Sequence, residues 1–497
     1  MTIIPPTWLL TKLIDYIPSV PTGVKSYIGK RKYYSTGSIN GENHLLEGEY
    51  EFNNRPSRAN RVANIGDVFQ ARMKGTDKAL IIQETLSEQL FSTGFLQFRP
   101  IKDTYTNRLL FYFIRSDFFL KQRDEFATGS TQVALTDSKA VKLELIVPPL
   151  NEQRRIVAKL EKLLQKVDAC TERLDKIPTI LKRFRQSILA TACTGRLTED
   201  LRKVTKDTSK VKELIKAIDA ARKKKYEETC KAAEQAGNRK PKDFRTNENS
   251  IDSKLKPETP VTWCWTRLVN IAEIRGGVTK GRKFNGKQTI FVPYLRVANV
   301  QDGYLNLSEI KTIEVLPEDE IKYKLKCDDI LFTEGGDRDK LGRGTVWKNN
   351  IGGCIHQNHI FRARLFYPMS SEWVSLATKS DSAKDYFFEN ASQTVNLASI
   401  NVTTLGNVPI ALPPMNEQLE IVHRVEALFK IADQIEERYT KARAYVDKLT
   451  QSILAKAFRG ELVPQDPNDE PASELLKRIQ EEKIDKPRNG RKSQRIG

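Results

Sequence analysis

Between Leu145 and Thr198 the apolar residues return every three or four positions: Ile156, Leu160, Leu163, Val167, Cys170, Leu174, Ile177, Leu181, Phe184 and Ile188. That spacing draws a single apolar stripe along a helix, and sustained over this length it predicts a coiled-coil seam. The same phase recurs later in Ile421, Val425, Leu428, Ala432, Ile435, Tyr439, Ala442, Val446, Leu449 and Ile453. The flanks recur with it, without a gap. Pro148-Pro149 and Asn151-Glu152-Gln153 return as Pro413-Pro414 and Asn416-Glu417-Gln418, and Gln186 to Ala190 returns as Gln451 to Ala455. Gly195 and Leu197 return as Gly460 and Leu462. So long a period is not that of a solenoid; it implies one large unit duplicated once, with internal pseudo-two-fold symmetry. The prolines stop a preceding strand, and Asn151 and Asn416 are expected to cap the first helical turn.

The segments ahead of the helices, residues 1–147 and 258–412, show fainter echoes in the same order. Trp8 and Leu13 match Trp263 and Leu268; Gly29 to Tyr33 matches Gly281 to Phe284; Gly66 to Phe69 matches Asp328 to Leu331; Ser116-Asp117 matches Ser380-Asp381. Short β runs (Ile290 to Val297, Asp329 to Phe332, His359 to Leu365) alternate with one helix in each (Asn107 to Phe126, Ser371 to Asn390). The predicted fold class is α+β: two small mixed domains, each followed by a long helix, with the two helices paired as a spacer. The expected organisation is a first domain at 1–147, a first repeated helical region at 148–200, and a basic helix and linker at 201–257. A second domain at 258–412 and a second repeated region with a basic tail at 413–497 complete it. A helix from Asn151 to Ala190 would run roughly 60 Å, about 17 base pairs of rise.

Charge sharpens the picture. Lys and Arg outnumber Asp and Glu by 82 to 63, a net charge of +19, which is the usual footprint of a nucleic-acid partner, the alternative being a merely solubilising surface. The Lys-rich stretch around Arg222 to Lys225 and Arg239 to Lys242 either touches phosphate or is merely solvated. The six cysteines form no Cys-x-x-Cys pair, as suits a reducing cytoplasm, and no apolar run is long enough to predict a membrane span. Candidate DNA contacts are Lys30, Arg31, Lys32 and Tyr33, and their counterparts Arg282, Lys283 and Phe284: basic side chains beside a ring on a glycine-bearing loop. Arg338, Lys340 and Arg343 lie in a glycine-rich loop with donors for guanine or phosphate, and Gln357 and Asn358 are amide readers of adenine.

No catalytic set is expected in the chain. The Pro-Pro pairs lack the aromatic of an adenine methyltransferase loop, and Gly276 to Lys283 carries Arg282 where a phosphate-binding loop needs lysine. Asp302, Glu320 and Lys322 resemble a nuclease set only as charge-rich sequences do by chance, and Cys354, His356 and His359 lack a fourth metal ligand at a familiar spacing.

Taken together, Pro-Pro-x-Asn-Glu-Gln opening each helix, Gln-Ser-Ile-Leu-Ala near its end, Gly-x-Leu after it, and a Lys-rich connector resemble the specificity subunits of type I restriction–modification systems. The resemblance implies a non-catalytic reader of double-stranded DNA with two target recognition domains for a bipartite site. Two modification subunits would methylate adenine with S-adenosylmethionine, and restriction subunits would add ATP- and Mg-dependent translocation and cleavage. The chain itself would bind no cofactor. The rival from residues alone is a coiled-coil scaffold that binds proteins through its two globular domains.

Overall fold

A computed structural model describes residues 4–40, 43–129, 133–203, 208–235, 237, 239–240, 251–336, 341–393 and 398–485. The chain divides into two compact units, Met1–Lys176 with Tyr439–Gly497, and Ile177–Arg438. Two 44-residue helices, Leu150–Cys193 and Met415–Phe458, each contribute one half to each unit.

In the first unit the strand Leu9–Lys12 pairs antiparallel with Glu144–Val147, so the domain's entrance and exit are bonded together just ahead of Pro148. One sheet has the order Gly48–Tyr50, Arg31–Tyr34, Leu90–Ser92, Ala59–Val62, and a second has the order Phe95–Phe98, Val68–Ala71, Ala79–Ile81. The second unit repeats the stem with Cys264–Arg267 against Pro409–Leu412. Its main sheet runs Ala272–Gly276, Ile360–Leu365, Ile330–Thr333, Gly344–Val346, and a smaller one runs Lys311–Val315, Ile290–Leu295, Ile355–His356.

The two domains share a polar framework as well as an order of strands. Asp67, fully buried, accepts from Arg99 Nε and Nη2 at 2.6 and 2.8 Å and from the Asn64 N–H at 2.9 Å. Asp329, also buried, accepts from Arg364 Nε and Nη2, both at 2.7 Å, and from the Lys326 N–H at 2.7 Å. Each Asp follows a residue with positive φ, Gly66 at 84° and Asp328 at 68°. A charged pair that is both bidentate and anchored to backbone locks the turn into each central strand.

The repeated Glu-Gln dipeptide ties helix to domain. Gln153 Nε2 donates to the carbonyls of Thr104 and Pro148, both at 3.1 Å, while its Oε1 accepts from the Thr106 N–H at 3.0 Å. Gln418 does likewise with the Pro413 carbonyl at 2.9 Å and the Ser370 N–H at 3.2 Å. Glu152 accepts from Trp8 Nε1 at 2.8 Å, and Glu417 from Thr198 Oγ1 at 2.7 Å and from Arg202. The helices begin one residue earlier than expected, at Leu150 and Met415. Asn151 and Asn416 therefore lie inside the first turn rather than at its cap: the Pro149 and Pro414 carbonyls accept the first helical bonds, from the Gln153 and Gln418 N–H groups.

Within the first unit the halves run antiparallel. Ile156, Leu160 and Val167 share a core with Ile453, Leu454, Ala457 and Phe458, bordered by Leu163 and Val446, and Arg443 pairs with Asp175. In the second unit Ile188 and Cys193 pack with Ile421 and Val425, bordered by Leu428, and Arg185 reaches Asp433 and Glu436, both at 2.7 Å. Leu174 is half-buried. Cys170 and its counterpart Ile435 depart from the predicted seam: both are exposed, and Arg185 makes its ion pairs on either side of Ile435.

Each single predicted domain helix is in fact two. Asn107–Ile114 and Asp117–Phe126 are separated where the Ser116 hydroxyl accepts from the Phe119 N–H, and Ser371–Ala377 and Asp381–Asn390 where Ser380 accepts from the Ala383 N–H. A serine that caps a new helix competes with continuation of the old one. In the first unit the repeated Gln451 spans the break, donating to the Arg115 carbonyl at 2.9 Å and accepting from the Asp117 N–H at 3.0 Å.

Candidate nucleic-acid interface

Strand register decides which loops share an edge. In the second unit Gly276 pairs with Phe361, Thr333 with Ile360, and Phe332 with Gly344. The segments that follow Gly276 and Thr333, and those that precede Gly344 and Ile360, all leave the sheet from that one edge. In the first unit Ala71 pairs with Phe95 and Gln70 with Ala79, so residues 72–78 and 93–94 leave from the matching edge. Both edges gain a further strand-like bridge from the segment before the exit strand, Met73 to Ala134 and Gly335 to Ser399.

On the second edge Gln357 and Asn358 form a tight turn. The Ile360 N–H donates to the Gln357 carbonyl at 2.9 Å, the Asn358 N–H to the Val278 carbonyl at 2.9 Å, and the Val278 N–H to the His356 carbonyl at 2.8 Å. Only glycine allows this approach, since a Cβ at Gly277 would lie 1.9 Å from the His356 carbonyl oxygen. The turn thus holds both amides at the edge. Arg343 is half-buried on the adjoining segment, its carbonyl accepting from the Thr333 N–H at 3.1 Å and its Nε enclosed with no hydrogen-bond partner among the described residues. Arg338 and Lys340 lie outside the described residues.

The other predicted contacts are placed differently. Arg282 is bound to the buried Asp319 at 2.7 Å and lies over the half-buried Phe284 ring at 5.9 Å, so it anchors its loop; Lys283 beside it is exposed. In the first unit Lys30 and Lys32 are exposed, and Arg31 sits 4.5 Å over the Tyr27 ring and 4.0 Å from Glu88. Arg31 to Tyr33 belong to a strand rather than a loop, and Tyr33 is buried against Tyr50 and Leu90. That corrects its assignment as a DNA contact: at this end of the strand both faces are covered, and Tyr33 and Tyr34 are each buried in a separate apolar cluster. These residues also begin a strand whose far end, not its start, reaches the loop edge, where Lys78 Nζ donates to the Thr36 carbonyl at 3.0 Å.

Register also corrects the proposed match between Gly29–Tyr33 and Gly281–Phe284. Tyr33 and Tyr34 lie beside Leu90 and Phe91 as Tyr294 and Leu295 lie beside Ile355 and His356, which makes Tyr33 the counterpart of Tyr294. Sequence reasoning passed over the loop Arg72 to Lys78. Arg72 is committed to the Phe95 carbonyl at 2.9 Å and to Asp137, but Met73 and Lys74 are exposed at the tip beside Gly75, whose φ is 78°. Its signal was legible: a basic, glycine-bearing segment between two apolar runs.

The remaining polar clusters are taken up by the fold. Cys354 is buried, and burial pushes its thiol up to about 12. His356 is fully enclosed, donating from Nδ1 to the Ile360 carbonyl at 2.9 Å, and burial pulls its pKa down to about 4. His359 is exposed and bonded to Glu334. Asp302, Glu320 and Lys322 go to separate neighbours: Lys379, Lys324 and the Tyr323 ring. Among the described residues no three metal-ligating side chains converge, and no helix is long and apolar enough to cross a membrane.

Comparison with known proteins agrees with this architecture. The family model described as type I restriction modification DNA specificity domain matches residues 29–179 and 260–442, one match in each half of the chain. The type I restriction enzyme EcoKI specificity subunit of Escherichia coli (strain K12) is 30% identical over 372 residues, 74% of this chain and 68% of that protein. The StySPI specificity subunit of Salmonella potsdam is 31% identical over 376 residues, with the same two coverages of 74% and 68%. A chain solved in work on complex assembly and conformational transition of the type I R-M system shares the fold, with a TM-score of 0.63 at 22% identity over 92% of this chain and 99% of that one. The duplicated domains, the paired helices and these matches together place the chain in the family of type I restriction–modification specificity subunits.

Proposed function

We propose that the chain is the DNA-recognition subunit of a type I restriction–modification complex, non-catalytic in itself, in which each domain reads one half of a bipartite, asymmetric site. The observation that carries the modular reading is the repeated framework of Asp67 with Arg99 and Asp329 with Arg364, which supports two loop edges of like topology and unlike side chains. A constant frame with divergent loops suits one task performed on two different sequences. The domains exchanged between such subunits would be residues 1–147 and 258–412. The paired helices would set the gap between half-sites and receive two modification subunits, to which restriction subunits add. S-adenosylmethionine, ATP and Mg would belong to those partners, and the complex would work in the cytoplasm.

Lys74 and the Gln357–Asn358 turn are the DNA contacts that edge position favours, with Arg343 beside them; Lys283, Lys30, Arg31 and Lys32 lie away from those edges, and for Lys283, Lys30 and Lys32 exposure alone supports a contact. Replacing residues 1–147 with the same region of another specificity subunit should change one half of the methylated motif, read by genome-wide mapping of methylated adenine. A change in both halves would refute the modular reading. A protein-binding scaffold would instead show no steep fall of duplex-DNA affinity with salt.

A further inference from the structure

On the second loop edge, three polar side chains form a chain of hydrogen bonds at the surface of the domain. Glu334 accepts from His359 Nδ1, and His359 Nε2 lies 3.4 Å from Asn358 Nδ2. A carboxylate can only accept, so Nδ1 carries the proton that Glu334 receives; Asn358 turns its Nδ2 toward Nε2, the arrangement in which a neutral imidazole accepts from the amide. The backbone fixes all three in register. The Glu334 N–H donates to the His359 carbonyl at 3.0 Å, the Ile400 N–H donates to the Glu334 carbonyl at 2.8 Å, and the Asn358 N–H is held by Val278. His359 is exposed at the edge and Glu334 and Asn358 are half-exposed, so the network faces outward rather than into a core.

An amide oriented in this way retains one N–H and its Oδ1 for an outside partner. That donor and acceptor pair matches N7 and the N6 amino group of adenine in the major groove. An amide free to rotate by half a turn would also offer the reverse pattern and would discriminate less well. We propose that Asn358 reads an adenine of the second half-site, and that His359 and Glu334 are positioning residues which fix its amide in the reading orientation. This rests on the chain being a DNA-recognition subunit, and it adds which residue reads, which base it takes and how it is held.

The test uses the full chain assembled with its modification subunits, mapping methylated motifs and measuring affinity for duplexes carrying each base at every position of the second half-site. In Asn358→Ala, discrimination for one adenine should fall by about 5- to 150-fold, the loss expected for one bidentate contact, with the first half-site unchanged. His359→Leu and Glu334→Ala should erode preference at that same position by a smaller factor and add nothing in combination with Asn358→Ala. A residue that merely supported the fold would instead lower affinity for every duplex alike. Asn358→Asp, of the same shape, loses the donor to N7 and reads the same position should the alanine variant fold poorly. An unaltered motif in all variants, or uniform weakening with the motif intact, would overturn this assignment while leaving the DNA-reading function in place. A wild-type complex that discriminated no duplex from any other would overturn that function itself.

Discussion

Replacing Asp67 with alanine should open the first recognition domain locally and leave the second as it was. Asp67 is wholly buried and accepts four hydrogen bonds: two from Arg99, one from the Asn64 N–H, and one from Gln97 Nε2 at 2.7 Å. Gln97 Nε2 keeps a second partner, the Val62 carbonyl at 2.9 Å, and Arg99, 44% exposed, can turn to solvent. The Asn64 N–H loses its side-chain acceptor, a cost of roughly 1–3 kcal/mol for a donor left unsatisfied. Losing a bidentate pair with one partly exposed member adds on the order of 1 kcal/mol. Together these come to about 3 kcal/mol, or roughly a hundredfold in the local opening equilibrium. Hydrogen exchange read by mass spectrometry should show that loss of protection over residues 64–71 and 95–99, with residues 326–333 unchanged. Asp329→Ala should produce the mirror result, because Arg364 and the Lys326 N–H make the same bonds there. Protection in the first domain that stayed within about threefold of wild type would refute the claim that this pair locks the turn into the central strand.

Three further outcomes are expected. His356 has a folded-state pKa near 4, below the ordinary histidine value, so the unfolded chain binds the extra proton first: its contribution is complete above about pH 6.5 and drains away as pH falls toward 4, up to about 3 kcal/mol. Urea unfolding across that range should show this dependence in wild type and its loss in His356→Phe, phenylalanine being what stands at the matching register position, Phe91. Lys74→Ala should reduce the slope of log affinity against log salt by about one unit without altering the first half-site motif, as expected of a phosphate contact. Four residues inserted between Ala190 and Gly195 lengthen that helix by roughly 6 Å and turn it by about 400°, so methylome sequencing should show both half-sites intact and a spacer longer by one or two base pairs. Active protein with an unchanged spacer would mean the helices are not the ruler.

What the chain reveals before folding is whatever must recur in its own order. Gln153 and Gln418 have to bond the same kind of backbone groups at the start of each helix, and Asp67 and Asp329 the same kind of arginine and turn. Such demands fix residue type and spacing together, and therefore survive as legible repeats, as does the apolar seam whose period follows from helix geometry. The stem strands next to the Pro-Pro pairs are legible for the same reason. Ser116 and Ser380 also recur as a matched pair, but whether a serine interrupts a helix or merely sits in one depends on what its hydroxyl meets.

Tertiary structure alone decided which basic residues are available. Arg282 reads as a DNA contact until Asp319, distant in sequence, is placed against it, and Tyr33 reads as a loop aromatic until a parallel neighbour, Leu90, makes it a buried position of a strand. The loop edge that brings Asn358 to His359 and Glu334, or exposes Lys74, arises from strand order, in which neighbours come from well-separated parts of the chain. Local pattern carries the period of a helix or strand, but pairing partners are chosen by burial across the whole domain, and a shift of one residue in register turns every side chain to the other face. Duplication, fold class and family were therefore written in the sequence, whereas the identity of the reading residues depended on which distant strands came to lie side by side.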